Sequence, residues 1–243
     1  MKATIQYLLQ RILGLSKYLR LFSWYKIKTF HNDKGENDFF HFVDMIPPST
    51  TVLDIGANIG IMSYYLCKHV NPANVFAFEP MPQNLRTLRW VKKRFSLNNL
   101  LISDVALGNE KGTIDMVMPV VNKVKKQGLS HVVSEDIKDF NDGDVFTTMI
   151  TKIDDVSELK DVRCSAIKID VENFEYHVFL GASTFIKKNM PIIYCELWDN
   201  ENRYKCFDLM RSFGYSIQFK QDNELIPFNE NNHTTQNFFL IPE

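Results

Sequence analysis

The sequence predicts one doubly wound α/β domain, in which helices cover both faces of a mostly parallel sheet. Three observations predict it. Short apolar runs rich in β-branched residues alternate with stretches of helical periodicity through most of the 243 residues. Apolar residues make up 45% of the chain, which is enough for the core of one large domain. The first β-rich run ends in a tight glycine turn, which is typical of strands that end at a ligand site in such sheets.

The predicted strands and helices follow one another without internal repeats. The segment Pro119–Asp144 interrupts the alternation, because it is polar, rich in lysine and then acidic. We predict that it is a long loop that acts as a lid or binds substrate. The predicted strands are Thr51–Ile55, Asn74–Phe78, Leu100–Ile102, Thr113–Met118, Ser165–Ile169, Pro191–Leu197, Tyr215–Phe219 and Gln236–Ile241, and the predicted helices are Asn37–Met45, Ile59–His69, Pro82–Phe95, Asn173–Lys188 and Arg203–Phe213.

The start of the chain differs from the rest in charge. Six of the 28 basic residues precede Asp33, whereas none of the 29 acidic residues does. We predict a basic helical extension over residues 1–46 and the α/β domain over residues 47–243. The charges interrupt the apolar residues too often for a spanning helix or a signal peptide. A basic amphipathic segment either packs over the domain, which we favour, or lies on an anionic membrane through residues 1–30.

Composition limits the compartment and the class of partner. The four cysteines form no CxxC pair, and we interpret them as reduced core residues of a cytoplasmic protein. The formal net charge is -1, and no basic, aromatic-rich face follows the first thirty residues. Nucleic acid is therefore not an expected partner. The cysteines are Cys67, Cys164, Cys195 and Cys206.

The turn after the first strand is the first candidate ligand site. Gly56 allows a sharp turn there, and Gly60 allows the following helix to pack closely on the sheet. Asn58 stands where dinucleotide-binding turns place a glycine, and asparagine tolerates the left-handed backbone region. Its side chain would crowd a pyrophosphate, and Asp54 would repel one. A cationic ligand suits this turn better.

Acidic residues follow the next two predicted strands as well. Glu79 comes 19 residues after Gly60, where an acid accepts hydrogen bonds from the ribose hydroxyls of a nucleoside. Asp104 follows the third strand and is predicted to accept a hydrogen bond from an adenine amino group. Each acid alone would also suit a solvated strand end or a helix cap. Three acids after three successive strands favour nucleoside binding.

Together these motifs resemble the FkbM-type branch of the class I methyltransferases, and the resemblance extends from Val52 to Pro242. It implies a class I methyltransferase sheet with an antiparallel final hairpin, bound S-adenosylmethionine, and O-methylation of a sugar, glycan or related small molecule. The motifs that carry it are Asp54-Ile55-Gly56-Ala57-Asn58-Ile59-Gly60, Phe78-Glu79-Pro80, Val105-Ala106-Leu107-Gly108, Ile167-Lys168-Ile169-Asp170-Val171-Glu172, Gly181-Ala182 and Asn237-Phe238-Phe239-Leu240-Ile241-Pro242.

The resemblance also assigns residues to the donor. The predicted cofactor-binding residues are Asp54, Gly56, Ala57, Asn58, Gly60, Glu79, Pro80, Asp104, Val105 and Ala106. The sequence departs from the family pattern at one point. Asn173 and Phe174 stand where the family usually has a Gly-Ala pair, which adds bulk at the mouth of the site and affects the choice of acceptor.

Methylation of a hydroxyl requires alignment of the acceptor and a general base. We predict that Asp170, Glu172 and Glu196 bind the acceptor and act as base, with Asp170 nearest the methyl group. Two other interpretations remain open for these acids: Asp170 and Glu172 cap the helix near Asn173, or all three bind a divalent metal, although the spacing does not require one. His131 is an alternative base.

Two other functions compete with methyl transfer. A nicotinamide-dependent oxidoreductase also uses a glycine turn and an acid after the second strand, but Asn58, Asp54 and the absence of a YxxxK pair beside a serine disfavour it. A non-catalytic interaction protein could keep the same fold. The intact turn, Glu79 and Asp170 together favour retained donor binding.

Overall fold

The computed structural model describes residues 2–133, 140–230 and 233–243. The order of strands and helices agrees with the predicted α/β alternation. The helices are α1 Lys2–Leu13, α2 Leu15–Thr29, α3 Asn37–Met45, α4 Ile61–Val70, α5 Pro82–Arg94, α6 Glu175–Leu180, α7 Ser183–Asn189 and α8 Glu201–Ser212. The strands are β1 Thr51–Ile55, β2 Val75–Phe78, β3 Leu100–Ser103, β4 Ala106–Leu107, β5 Gly112–Val121, β6 Val124–Lys125, β7 His131–Val132, β8 Gly143–Thr151, β9 Cys164–Ile169, β10 Ile192–Glu196, β11 Tyr215–Gln221, β12 Glu224–Pro227 and β13 Asn237–Pro242.

In the described part of the chain, eight strands form the main sheet in the order β12-β11-β13-β10-β9-β1-β2-β3. The strands from β10 to β3 are parallel, whereas β13 is antiparallel to both β10 and β11. The predicted fold class and its antiparallel closing strands are therefore confirmed. Because strand order reverses between β1 and β9, the carboxyl ends of these two strands flank the switch point, where ligands bind in open α/β sheets.

The main sheet is buried on both faces, as expected for parallel strands covered by helices. On one face Leu53 and Ile167 pack with apolar side chains of α6, α7 and α8. On the other face Val52 and Ala166 pack with side chains of α3, α4 and α5. The four cysteines are free and buried within these two clusters, as predicted.

The N-terminal helices lie against the domain to different extents. Phe39 and Phe42 of α3 are fully buried in the core, and α2 buries Leu19 and Ile27. The α1 side chains that the structure describes are exposed or only partly buried. Packing over the domain, which the sequence favoured, thus applies to α2 and α3. The division of the chain at residue 47 stays a prediction.

The prediction of a single long loop over Pro119–Asp144 was wrong for the described residues. Strand β5 continues to Val121, β6 and β7 follow, and β8 begins at Gly143. They form a small second sheet, in which β5 and β8 pair antiparallel over eight residues each. Residues 134–139 of the predicted loop lie outside the described residues. Strand β8 was missed although its Val, Phe, Thr and Ile content is typical of a strand.

The helix predicted over Asn173–Lys188 is two helices, α6 and α7, which meet at Gly181. A Cβ atom at Gly181 would lie 1.8 Å from the carbonyl oxygen of Gly108. The backbone after β4 therefore approaches the α6–α7 junction so closely that only glycine fits. This contact joins the start of the second sheet to the helices below the main sheet.

We expect Gly181→Ala to lower the free energy of unfolding by about 3 kcal/mol, because the added methyl group forces the two backbones apart. For a chain of this length the melting temperature should fall by about 6–12 °C, measured by circular dichroism. Gly35→Ala is the matched control, since its Cβ would contact only the Asp33 carboxylate, at 3.5 Å. Equal melting temperatures for G181A and the wild type would contradict the close approach.

Candidate active site

The glycine turn after β1 is fixed by the neighbouring strands. The N–H groups of Gly56 and Ala57 both donate to the carbonyl of Phe78 at the end of β2, at 3.1 and 3.0 Å. Gly56 has φ 74°, and a Cβ atom there would lie 1.8 Å from the carbonyl oxygen of Asp170. The turn therefore packs directly on the chain that leaves β9, which explains the need for glycine at this position.

Glu79 lies at the end of β2 and holds the same turn. It is 4% exposed and accepts hydrogen bonds from the N–H groups of Asn58 and Met81, at 2.7 and 2.8 Å. Asn58 has φ 50°, so asparagine does adopt the left-handed conformation that the sequence predicted. Burial raises the pKa of Glu79 to about 7.

A pocket beside this turn contains about 590 Å³ of space, part of it open to solvent, and we call it the Glu79 cavity. Three polar oxygens on its walls belong to Asn58, Asn84 and Ser130, and no hydrogen-bond partner satisfies them within the described protein. Buried oxygens without partners are costly unless a ligand or water meets them. The predicted site residues that line the cavity are Gly56, Asn58, Glu79, Pro80, Val105, Ala106, Asp170 and Glu172.

Some walls of the Glu79 cavity were not predicted. Gln127, Gly128 and Ser130 reach it from the short turn between β6 and β7, and Phe174 reaches it from the start of α6. The segment predicted to be a lid therefore borders this cavity. Neither Asn84 nor Gln127 belongs to a motif that would reveal its role, because the Asn84 side-chain amide meets the Gln127 backbone carbonyl, at 3.5 Å, only through the tertiary fold.

The remaining predicted cofactor residues lie elsewhere. Asp54 is fully buried beneath the turn and accepts a hydrogen bond from the Ser63 hydroxyl at 2.5 Å. A Cβ on Gly60 would meet Leu88 of α5 at 2.7 Å, so this glycine allows helix–helix packing rather than packing on the sheet. Ala57 lines a different cavity, together with Phe22 and Lys26 of α2.

The position of Asp104 does not agree with its predicted contact to adenine. Its side chain is 62% exposed and pairs with Arg89 of α5 at 3.2 Å, on the surface outside the Glu79 cavity. Val105 and Ala106 face the cavity instead, because the chain turns over between β3 and β4. An adenine contact from this segment would thus come from apolar side chains and backbone rather than from a carboxylate.

A buried lysine connects β9 to the turn after β1. The Lys168 ammonium donates to the carbonyl of Gly56 at 3.0 Å and lies 3.7 Å from Asp54 and 3.6 Å from Asp170. Burial alone would lower the pKa of Lys168, but the carboxylates of Asp170 and Asp54 outweigh it and raise the pKa. Lys168 is therefore charged. A lysine within an apolar strand indicates a buried ion pair with a carboxylate, because a buried charge needs a partner. The sequence analysis nevertheless assigned no role to Lys168.

Two further cavities adjoin the Glu79 cavity at Asp170. The Glu196 cavity, of about 510 Å³, is lined by Glu36, Lys168, Asp170, Tyr194, Glu196 and Asn237 among others. The Phe22 cavity, of about 590 Å³, is lined by Phe22 and Lys26 of α2, by Glu36, Ala57 and Met62, and again by Asp170. Asp170 therefore lies where all three cavities meet.

Comparison with known proteins identifies the family. The model of the methyltransferase FkbM domain matches residues 54–217, which is well over half of the chain. The chain belongs to the FkbM methyltransferase family. The predicted family resemblance is therefore confirmed.

Individual relatives are distant. The chain is 24% identical over 212 residues to the AMB antimetabolite synthetase AmbE of Pseudomonas aeruginosa; the match covers 73% of this chain and only 10% of AmbE. It is 22% identical over 208 residues to Methyltransferase 1 of Beauveria bassiana, covering 76% of this chain and 83% of that protein. The crystal structure of methyltransferase FkbM from Methylobacillus flagellatus has a TM-score of 0.52 and 16% identity, covering 96% of this chain and 59% of that one, and it shares the fold.

Two carboxyl groups near Asp170 have raised pKa values. Burial, together with the charges of Asp170 and Glu196, raises the pKa of Glu172 to about 10. Burial and Asp170 raise the pKa of Glu196 to about 7. At neutral pH Glu172 is therefore protonated and can donate a hydrogen bond, whereas Glu196 is partly ionised.

The departure from the family pattern lies at this same loop. Glu172 and Asn173 have φ of 54° and 74°, so two consecutive residues are left-handed. Asparagine tolerates this conformation, which glycine usually provides, and its amide oxygen accepts a hydrogen bond from the Asn200 side chain at 2.8 Å. Phe174, in place of alanine, forms part of the wall of the Glu79 cavity, so the predicted added bulk is present.

Other interpretations of the site acids find less support. The N-terminus of α6 lacks a side-chain capping bond, and the Val171 N–H donates to Glu175 at 2.9 Å, so Asp170 and Glu172 do not serve as caps. His131 is buried in the second sheet, where its two ring nitrogens contact the Leu129 carbonyl and the Asn141 side chain. Within the described residues, no group of three or more His, Cys, Asp or Glu side chains is arranged to hold a metal ion.

Glu175 provides a test of these electrostatics. It is 2% exposed, and burial raises its pKa from the ordinary 4.5 to about 8. Because the folded pKa is the higher one, stability is fully present below pH 4.5 and is lost as pH rises towards 8, by about 1.4 kcal/mol per pH unit. Glu175→Gln keeps an acceptor for the Val171 N–H but cannot ionise. We expect its melting temperature relative to wild type to rise steadily from pH 5 to pH 8.

Glu110→Gln is the matched control, because Glu110 is exposed. Its melting temperature should follow the wild type at every pH in the series. Parallel curves for E175Q and the wild type would show that Glu175 is ionised in the folded state, contrary to the burial argument.

Proposed function

We propose that this methyltransferase transfers the methyl group of S-adenosylmethionine to a hydroxyl of a sugar, glycan or related small molecule. The position of Asp170 carries the proposal. It lies between the Glu79 cavity, which suits a nucleoside-bearing donor, and the polar Glu196 cavity, which suits an acceptor with several hydroxyls. A carboxylate between a donor and an acceptor is where a base for methyl transfer to oxygen has to lie.

The walls of the Glu79 cavity fit this donor. S-adenosylmethionine supplies a methyl group bound to a cationic sulfur, together with an adenosine that has hydrogen-bonding edges and an apolar ring. Glu79 has the position of a ribose-binding acid, and the free oxygens of Asn84 and Ser130 can accept hydrogen bonds. Phe78, Val105 and other apolar side chains supply surface for the ring.

Neighbouring residues position Asp170 to act as a general base. The Lys168 ammonium lies 3.6 Å from the Asp170 carboxyl group, and the close approach of Gly56 fixes the backbone at this position. Asp170 would accept the hydroxyl proton of the acceptor while the acceptor oxygen bonds the methyl carbon; the carbon–sulfur bond would break at the same time, and S-adenosylhomocysteine would leave. Glu172, which is protonated at neutral pH, orients an acceptor oxygen by donating a hydrogen bond, and Glu196 is the second proton acceptor.

Calorimetric titration with S-adenosylhomocysteine and with NAD tests the donor assignment. We expect saturable binding of S-adenosylhomocysteine and none of NAD. The affinity should decrease below pH 7, where Glu79 takes up a proton and loses its charge-assisted hydrogen bonds. Glu79→Gln should weaken binding by about tenfold or more and abolish this pH dependence. Equal affinity of E79Q and the wild type across the pH series would contradict the role of Glu79.

The base assignment is tested with labelled donor and a panel of neutral sugars, amino sugars and glycolipid headgroups. With an acceptor that becomes methylated, Asp170→Asn should lower kcat by about 100-fold to 10,000-fold. Its affinity for S-adenosylhomocysteine should stay within a few-fold of wild type.

Asp208→Asn is the matched control, because this exposed aspartate of α8 pairs with Arg211 and lines none of the three cavities. It should leave both kcat and donor affinity unchanged. If D170N loses donor affinity and turnover to the same degree, Asp170 positions the donor and is not the base. Donor binding without methylation of any acceptor would favour a non-catalytic protein.

A further inference from the structure

We infer that α1 and the outer face of α2 form a docking surface for an anionic lipid membrane. The inference is independent of the chemistry proposed above. It begins from the distribution of exposed apolar side chains. Among the described residues, thirteen large apolar side chains are exposed, and seven of them lie between Ile5 and Tyr25. Apolar surface concentrated in this way marks an interaction site.

The apolar side chains of α1 form one stripe. Ile5, Leu8, Leu9 and Ile12 have the spacing of a single helix face, and their exposed fractions are 53%, 48%, 36% and 76%. An amphipathic helix of a soluble domain normally turns such a stripe towards the core. Here the stripe faces away from the protein.

The other side of α1 is held in place. The Gln10 side chain exchanges two hydrogen bonds with the backbone of Lys125 in β6, at 3.0 and 3.1 Å. Gln6 accepts a hydrogen bond from the Lys126 ammonium at 2.9 Å. Because these contacts fix the orientation of the helix, the apolar stripe cannot turn inwards without breaking them.

Helix α2 has the same arrangement. Lys17, Leu21, Trp24 and Lys28 follow one another at helical spacing on its exposed face, while Leu19, Ser23 and Ile27 are buried on the opposite face. A tryptophan beside leucine with a lysine on either side suits the boundary between lipid tails and headgroups. The lysine stems can pack along the lipid while their ammonium groups reach the phosphates.

Charge identifies the occupant as an anionic lipid surface. No acidic residue precedes Asp33, whereas six basic residues do, so the charged side chains of α1 and α2 are all positive. Neutral lipid would not exploit that charge. Among the described residues, no helix has the length and apolar character needed to cross a bilayer. The proposed contact is therefore that of amphipathic helices lying on the membrane surface.

The docking surface is connected to the active site. Phe22 and Lys26, on the inner side of α2, line the Phe22 cavity together with Asp170. A helix with its side chains is about 10 Å across, so the docked protein holds this cavity close to the lipid headgroups. Gln127, next to the α1 contact with β6, lines the Glu79 cavity. Docking would therefore place both cavities beside the membrane.

Cosedimentation with phosphatidylcholine vesicles, prepared with and without phosphatidylglycerol, tests the inference on the full chain. We expect binding to the anionic vesicles that decreases with added salt. Ile5→Ser with Ile12→Ser should weaken this binding by about tenfold, and so should Lys17→Gln with Lys28→Gln. Melting temperatures of both double variants should match the wild type, since all four side chains are exposed.

Val145→Ser with Met149→Ser is the matched control, because these two β8 side chains are 58% and 53% exposed. This double variant should bind anionic vesicles as the wild type does. Absence of wild-type binding to these vesicles would overturn the inference. An equal loss in the β8 variant would overturn it too, as would a wild-type dimer that I5S/I12S converts to monomer without a change in vesicle binding.

Discussion

The site depends on the contacts that the buried Lys168 ammonium makes with its neighbours. This ammonium bonds the carbonyl of Gly56 and lies between Asp54 and Asp170, so it joins the ends of β1 and β9 across the switch point of the sheet. Moving a partner away would leave a buried charge unpaired, which is energetically costly. The three groups around it are therefore held in one arrangement, and the positions of the glycine turn and of Asp170 follow from that arrangement.

The same cluster explains how several acids remain close together. Full ionisation of Glu172, Glu196 and Asp170 around one lysine would place like charges in a poorly hydrated space. The raised pKa values of Glu172 and Glu196 avoid this, because the protonated forms carry no charge. The resulting site places the Asp170 carboxyl group beside Lys168 and near a neutral carboxylic acid that can donate a hydrogen bond, and such a pair suits the hydroxyl acceptor that we propose.

Two additions to the sheet shape the cavities around this cluster. The second sheet brings Gln127 and Ser130 to the Glu79 cavity, and α2 brings Phe22 and Lys26 to the Phe22 cavity. Helix α1 connects the two additions, since Gln10 bonds to β6 while the chain continues directly into α2. The main sheet thus positions Asp170, whereas segments outside it line the cavities that adjoin this residue.

The sequence by itself determined the α/β fold, the family, the glycine turn and the acids that end β2 and β9, because each of these depends on local patterns along the chain. It misplaced Asp104 and missed β8 and Lys168. The direction of the Asp104 side chain depends on how the chain turns between β3 and β4, and Asn84 meets Gln127 only through contact between distant segments. Only the tertiary structure decided the protonation of Glu172 and the exposure of the α1 stripe, because both depend on which surfaces the folded chain buries.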